Sequence, residues 1–312
     1  MHDATVLLTT FRRSPILERT LCALSHVHSN LCKWQLIVVD NADDNATRLL
    51  CEKFQCSLPI EYYVCTRPGK NAALHCGLQH ATSPLIVFTD DDVLPAPNWL
   101  TAMHHGAARW PNHMLFGGRV LPDWPIEPPA FVQELATRPD TGRWTYSVLD
   151  PQAPEGPCAN LLPMGNNMAV RKSIFDQGIR FDERIGPRGT SYPMGSETEF
   201  NLRLKRLGFE AVFLPDSLVH HQIRPDQMSR QWLVGRAFRE GRGAALRRTD
   251  RSLIRFLRAA KQAIVASVRY PSERLSGSEA SALTMQMNRA HALGQLYETL
   301  WPGNRVRGNE RA

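Results

Sequence analysis

Three carboxylates stand side by side at Asp90, Asp91 and Asp92, directly after the apolar run at 85–89, LIVFT. Adjacent carboxylates repel one another, so the run calls for a counter-charge or a ligand. Alternate side chains leave an extended strand on the same side, so Asp90 and Asp92 can face one cation together. Oxygen donors of this kind suit Mg2+ or Mn2+, which in turn can reach diphosphate oxygens. The competing assignment is a helix N-cap at Asp92, ahead of Val93-Leu94-Pro95, and it accounts for one aspartate of the three. A second acidic group lies at 195–200, Gly-Ser-Glu-Thr-Glu-Phe. Glu197, at the start of an amphipathic helix, can take a proton from a hydroxyl. Ser196 and Glu199 have the spacing of a capping box, which leaves Glu197 free for chemistry. The third candidate is His221 in Val219-His220-His221-Gln222, a metal ligand or phosphate contact in one reading and a structural histidine in the other.

The elements around these residues predict how they are positioned. Apolar strand-like runs at 4–10 (ATVLLTT), 36–39 and 85–89 alternate with helical patterns at 44–54 and 70–81, with a short β-rich run at 60–64. Ser14-Pro15 opens the first helix, the hydroxyl as N-cap and the proline in the first turn. Strands alternating with helices predict parallel βαβ units, whose ligands sit beyond the carboxyl ends of the strands. Asp40 and the aspartate run both fall at such ends. Residues 122–163 carry nine prolines and predict long irregular connections. A strand at 167–170, a helix at about 197–207, a strand at 211–214 and a run through His220 and His221 follow, and the rest is mostly helical.

Composition bounds the class. The 312 residues are 43% hydrophobic and 21% charged, which is ordinary globular composition and argues against disorder. The first residues run straight into an apolar strand, so no secretory leader is expected, and no apolar run approaches the ~20 residues of a membrane-spanning helix. Seven cysteines at irregular spacing, without a C-x-x-C pair, argue against a disulfide framework or a zinc site. A cytoplasmic protein is the expectation, peripheral on a membrane at most. The net charge of +7 is concentrated after residue 224, with Arg247, Arg251, Arg255 and Arg258 at helical spacing. Leu253, Ile254, Phe256, Leu257, Ile264 and Val265 form an apolar face among these cations. Such a helix either lies on an anionic membrane or packs its apolar face on the catalytic domain or a second subunit and leaves its arginines in water.

The pieces VLLTTFRR, LIVVDN, RPGKNAALHCGL, LIVFTDDDV, GNNMAVR, GSETEFNLRL and VHHQI occur in this order between residue 6 and about residue 223. Together they resemble a family-2 glycosyltransferase of the GT-A fold. The resemblance implies a Rossmann-like, mostly parallel central sheet flanked by helices in residues 1–223. A donor half at about 1–120 and an acceptor half at about 121–223 would share it, with a basic helical extension at 224–312. It implies sugar transfer from a UDP-, GDP- or dTDP-linked donor to a saccharide or glycolipid hydroxyl, with Mn2+ or Mg2+ as cofactor and no nucleic-acid partner. It places Thr10, Arg12, Asp40, Lys70, Asp90 and Asp91 against the nucleotide. Asp90, Asp92 and His221 fall at the metal and diphosphate, and Glu197 at the position of the catalytic base. Arg171 and the proline-rich middle would shape the acceptor side. His75 stands where many relatives carry asparagine, and Ser196-Glu197 where Glu-Asp is common. Two other classes compete: a sugar nucleotidyltransferase, which needs a glycine-rich phosphate loop that residues 9–13 lack, and a non-catalytic protein that binds nucleotide or anionic surfaces.

Overall fold

The computed structural model describes residues 2–28, 33–189, 192–247 and 253–301. Its strands are β1 (Ala4–Thr10), β2 (Trp34–Asp40), β3 (Ile60–Val64), β4 (Leu85–Asp90), β5 (Val93–Pro95), β6 (Leu115–Asp123), β7 (Gly156–Pro157), β8 (Met168–Arg171) and β9 (Ala211–Gln222). The helices that matter below are α1 (Ser14–Leu24), α2 (Asn45–Phe54), α3 (Lys70–His80), α4 (Trp99–Arg109), α5 (Ala130–Thr137), α6 (Pro139–Tyr146), α7 (Lys172–Asp176), α8 (Ser196–Arg206), α9 (Arg230–Leu246), α10 (Leu253–Ser276) and α11 (Glu279–Leu300). The chain divides into two compact units, one of Met1–Asp123, Tyr146–Glu183 and Glu197–Ile223, the other of Trp124–Thr145, Arg184–Ser196 and Arg224–Ala312.

The first unit is built on one sheet in the order β3-β2-β1-β4-β8-β6-β9-β5, with β7 on β9. Strands β1 to β4 pair in parallel, as the alternating pattern predicts. β1 and β2 are buried along their whole lengths, which is why they read as continuous apolar runs rather than alternating ones. The other half is mixed: β8 runs antiparallel to β4 and β6, and β5 antiparallel to β9. The register fixes the site. Thr9 lies opposite Asp90, and Thr10 opposite Asp40, so three strand ends present their last residues together.

Several local expectations are corrected. Helix α1 does begin at Ser14-Pro15, but Arg13 occupies the cap position and the Ser14 hydroxyl donates to Asp44 Oδ2 at 3.2 Å. Asp44 caps α2 by accepting from the Thr47 amide. The proline-rich middle is not irregular throughout: α5 and α6 lie within it. Their prolines sit at helix starts, Pro129 as the N-cap of α5 and Pro139 as the first residue of α6, where proline's fixed φ and missing N–H do no harm.

In the second unit, α11 packs against both α9 and α10. The pair Arg242 Nε to Glu298 Oε2, 2.9 Å, is buried between α9 and α11. The basic run divides: Arg247 is mostly buried, donating to the Met194 carbonyl at 3.0 Å and to Glu240 at 2.6 Å, so it is not a solvated residue. Arg258 is exposed. Arg251 and the side chains of Leu253 and Arg255 lie outside the described residues. No helix among the described residues is long and apolar enough to cross a membrane.

Candidate active site

The turn after β4 carries the aspartate run. Asp90 ends β4, Asp91 and Asp92 form a turn, and β5 begins at Val93. The helix-cap assignment of Asp92 therefore falls: a strand follows it, and α4 starts only at Trp99 behind Asn98. The turn is held by residues far away in sequence. Thr20 of α1, fully buried, donates its hydroxyl to the Asp91 carbonyl at 2.8 Å and accepts from the Val93 amide at 3.2 Å and from Gln222 at 3.0 Å. The Gln222 amide donates to the Asp92 carbonyl at 2.8 Å. β5 pairs with β9 so that Val93 faces His221, which brings this histidine beside Asp92.

The three carboxylates have different surroundings. Asp91 is buried, and its carboxylate accepts from the Thr10 hydroxyl at 2.7 Å and from Arg13 Nη1 at 3.1 Å. The same Arg13 nitrogen lies 3.2 Å from Asp92 Oδ2. Asp90 pairs with Lys70 Nζ. Burial pushes Asp91 up, and Asp92 beside it adds to this, against the pull of Arg13 and Thr10. Burial works the same way on Asp92, but His221, Arg13 and Lys70 overcome it and hold that carboxyl far below the usual range. The buried pair thus stays compensated by Arg13 and Lys70, and by His221 when its ring carries a second proton. Arg13 was not among the residues read from the sequence; no local pattern distinguishes it from Arg12. Burial opposes the charge on Arg13 as well, and Asp91 and Asp92 outweigh it.

Among the described residues no group of three His, Cys, Asp or Glu side chains converges as a ready-made metal site. Asp92 and His221 nevertheless fit a cation. The Nδ1 of His221 lies 3.0 Å from the Tyr146 carbonyl, an oxygen that only accepts, so Nδ1 carries the hydrogen. In the neutral ring Nε2 then presents its lone pair, 3.7 Å from Asp92 Oδ1. Two acceptors turned toward one another are satisfied by a proton or a metal ion between them. A backbone carbonyl behind the imidazole is also the usual support of a ligating histidine. Mg2+ and Mn2+ sites of this sort need one or two protein ligands, with water and phosphate supplying the rest.

Lys70 opens α3. Gly69 before it has φ 117°, a conformation glycine adopts without cost. Asn41 laces this loop: its Oδ1 accepts from the Gly69 amide at 2.9 Å, and its Nδ2 donates to the Cys65 and Arg67 carbonyls at 2.7 Å each. Burial works against the Lys70 charge, but Asp90 and Glu197 outweigh it and raise its pKa. Glu197 lies in the first turn of α8. Phe200, one turn on, is fully buried and stacks on Phe181 with ring centres 4.3 Å apart; Phe181 in turn meets Phe88 of β4 edge to face. That aromatic stack anchors α8. Gly165 lies beneath the Glu197 side chain: a Cβ there would sit 3.4 Å from Glu197 Cβ and 3.5 Å from Cγ, at ordinary van der Waals contact. Glu199 gives both oxygens to Arg203 at 3.0 and 2.9 Å.

Other expected contacts turn inward. Asp40 is fully buried, and its oxygens accept from the Ala42 amide at 2.8 Å, the Asp44 amide at 2.6 Å and the Tyr62 hydroxyl at 2.8 Å. It shapes the turn after β2 and, like Thr10 and Asp91, is buried. Arg171 donates to the His113, Ala107 and Trp110 carbonyls at 2.8, 2.7 and 3.3 Å, so it ties down the end of α4 and is corrected as an acceptor-side residue. His75 pairs with Glu183 at 2.8 Å. Arg12 is exposed, with φ 51° and its guanidinium 5.5 Å from the exposed ring of Phe11.

The model of Glycosyl transferase family 2 matches residues 5–177, more than half of the chain. The chain belongs to that family. It is a glycosyltransferase with a GT-A fold and helices at its C-terminal end. Over 246 residues it is 25% identical to the succinoglycan biosynthesis protein ExoM of Rhizobium meliloti, covering 74% of this chain and 71% of the relative. The glucosyl-dolichyl phosphate glucuronosyltransferase of Haloferax volcanii is 22% identical over 166 residues, 53% of this chain and 51% of that one. Among solved structures, the Pyrobaculum calidifontis mannosyltransferase PcManGT, in complex with GDP-Man and Mn2+, superposes with a TM-score of 0.61 at 17% identity over 97% of this chain and 88% of its own. TarS 1–349 of S. aureus in complex with UDP-GlcNAc gives 0.51 at 14% identity, over 95% and 81%.

Proposed function

We propose that this glycosyltransferase moves a sugar from a nucleotide-sugar donor to a hydroxyl of a saccharide or glycolipid, with inversion and with a divalent cation, in the synthesis of a bacterial surface polysaccharide or glycolipid. The observation that carries this reading is the grouping of Lys70, Asp90, Asp92 and His221 beyond the strand ends, with the Glu197 carboxylate near enough to act on the Lys70 charge. Similarity to a succinoglycan biosynthesis protein supports the polysaccharide assignment. Nucleotide sugars and Mn2+ in the structures of similar fold support the donor class and the cofactor. Asp92 and His221 would hold Mn2+ or Mg2+, with Asp90 beside them. When bound, that cation supplies positive charge that stabilises the departing nucleoside diphosphate.

The residues of the chain do the rest. Glu197 takes the proton of the acceptor hydroxyl as its oxygen bonds to the anomeric carbon, and the bond from that carbon to the diphosphate breaks in the same displacement. Lys70, held charged, places a second cation at the leaving group. Arg12, exposed after β1, contacts the nucleotide, while Thr10, Asp40 and Asp91 act by holding the turns in place. Six cysteines, Cys22, Cys51, Cys56, Cys65, Cys76 and Cys158, are free thiols, in keeping with a reducing cytoplasmic setting.

A thermal-shift panel of UDP-, GDP- and dTDP-sugars with Mn2+ tests the donor assignment. One base class is expected to raise the melting temperature, because a ligand bound only to the native state stabilises it by mass action. No shift from any of the three at saturating concentration would count against a nucleotide-sugar donor.

Arg13→Met tests the compensation of the aspartates. Two mostly buried carboxylates lose their shared guanidinium, which should cost about 1–3 kcal/mol. The loss stays below that of a fully buried pair because Arg13 is 41% exposed. Added Mn2+ should recover more melting temperature in this variant than in the wild type; an equal response in both would mean that the metal does not share the aspartates with Arg13.

A further inference from the structure

Helix α10 carries its amphipathicity the wrong way round for a packed helix. The residues it buries are small: Ala259, Ala263 and Ala266, at 2–9% exposure. Its large aliphatic residues point outward instead. Ile254, Leu257, Ile264, Val265, Val268 and Leu275 are 41–89% exposed. At 100° per residue these six fall within an arc of about 100°, and the buried alanines lie across the helix axis from it. The stripe runs for about 30 Å along the helix. Lys261 stands inside the arc, and Arg258 and Arg269 lie just beyond one edge; all three are exposed. Between 253 and 276 the sequence has five basic residues and a single acidic one, Glu273. Within one chain the aliphatic face is therefore uncovered at the residues whose exposure is described.

We propose that the outer face of α10 is a membrane-docking surface that lies in the headgroup region of an anionic lipid bilayer, aliphatic stripe down. This inference stands apart from the donor chemistry and does not depend on it. A helix with an apolar stripe and cations within it and at its border meets the requirements of interfacial binding. The long stems of Lys261, Arg258 and Arg269 let their charges reach lipid phosphates while the stripe is immersed. Charge selects lipid over a second copy of the chain. Self-packing along this stripe would bring Lys261 and its neighbours against like charges, whereas anionic headgroups complement them.

Co-sedimentation of the full chain with vesicles tests the proposal. The wild type should pellet with vesicles of phosphatidylcholine and phosphatidylglycerol at low salt and pellet weakly with phosphatidylcholine alone. Retention should fall in ~1 M NaCl, where charges are screened within about 3 Å. The double substitution Ile264→Ser with Val268→Ser, both at exposed positions, should reduce retention at least tenfold with an unchanged melting curve. Replacing Arg258 and Arg269 by Ser should cost about fivefold per residue on anionic vesicles only. Three results would overturn the proposal: no retention on anionic vesicles at low salt, equal retention of the Ile264/Val268 variant, or a dimer in light scattering that this variant abolishes while neither form binds vesicles. The last would assign the face to a second copy.

Discussion

Replacing Glu197 by Gln is expected to cut turnover by ~10²-fold or more, the scale of a lost general base, while donor affinity stays within a few fold. Glutamine keeps the length and volume of the side chain, so its packing over Gly165 is preserved and the aromatic anchor of α8 at Phe200 is untouched. What disappears is the oxygen that takes the acceptor proton. Lys70 loses one of the anions that hold its charge but keeps its ion pair with Asp90, so the positive charge at the leaving group survives. Steady-state rates and donor titrations on the two proteins separate these effects. A loss of donor affinity as large as the loss of turnover would move Glu197 from catalysis to donor binding.

Asp92→Ala should abolish detectable transfer and remove the dependence of nucleotide binding on Mn2+. The variant leaves His221 without the carboxylate across from Nε2 and leaves Arg13 with Asp91 as its remaining partner. Asp91→Ala is the informative comparison. That change removes the acceptor of Thr10 and one partner of Arg13, both buried or partly buried contacts, so it should lower stability before it alters metal dependence. Titrating nucleotide with and without Mn2+ into the two variants distinguishes them. The same metal dependence in Asp92→Ala as in the wild type would refute the metal assignment.

Much of the donor-side fold was legible because its signals are local. β1 was read to its observed ends because it is buried along its whole length, and half-buried β3 because its Ile, Tyr and Val residues favour strand. The order of acidic groups at strand ends located the site. The sequence did not show which of those groups face inward. Thr10, Asp40 and Asp91 look like binding residues as letters, yet each spends its polar atoms on partners 2 to 81 positions away. Arg13, Asn41 and Thr20 were invisible for the same reason: each acts through contacts far away in sequence, and nothing in their neighbourhoods marks them. The helices in the proline-rich middle were missed because proline reads as a breaker, although at a helix start it is favourable. The face of α10 was ambiguous because an apolar stripe in sequence does not say whether the chain itself covers it; the burial of the alanines on the other side shows that it does not.

The most direct measurement is release of nucleoside diphosphate from UDP-, GDP- and dTDP-linked sugars by the full chain, with Mn2+ and again with EDTA. The account predicts release from one donor class in Mn2+, lost in EDTA and restored by added metal. Release at the same rate in EDTA, or none from any of these donors with Mn2+ present, would contradict it.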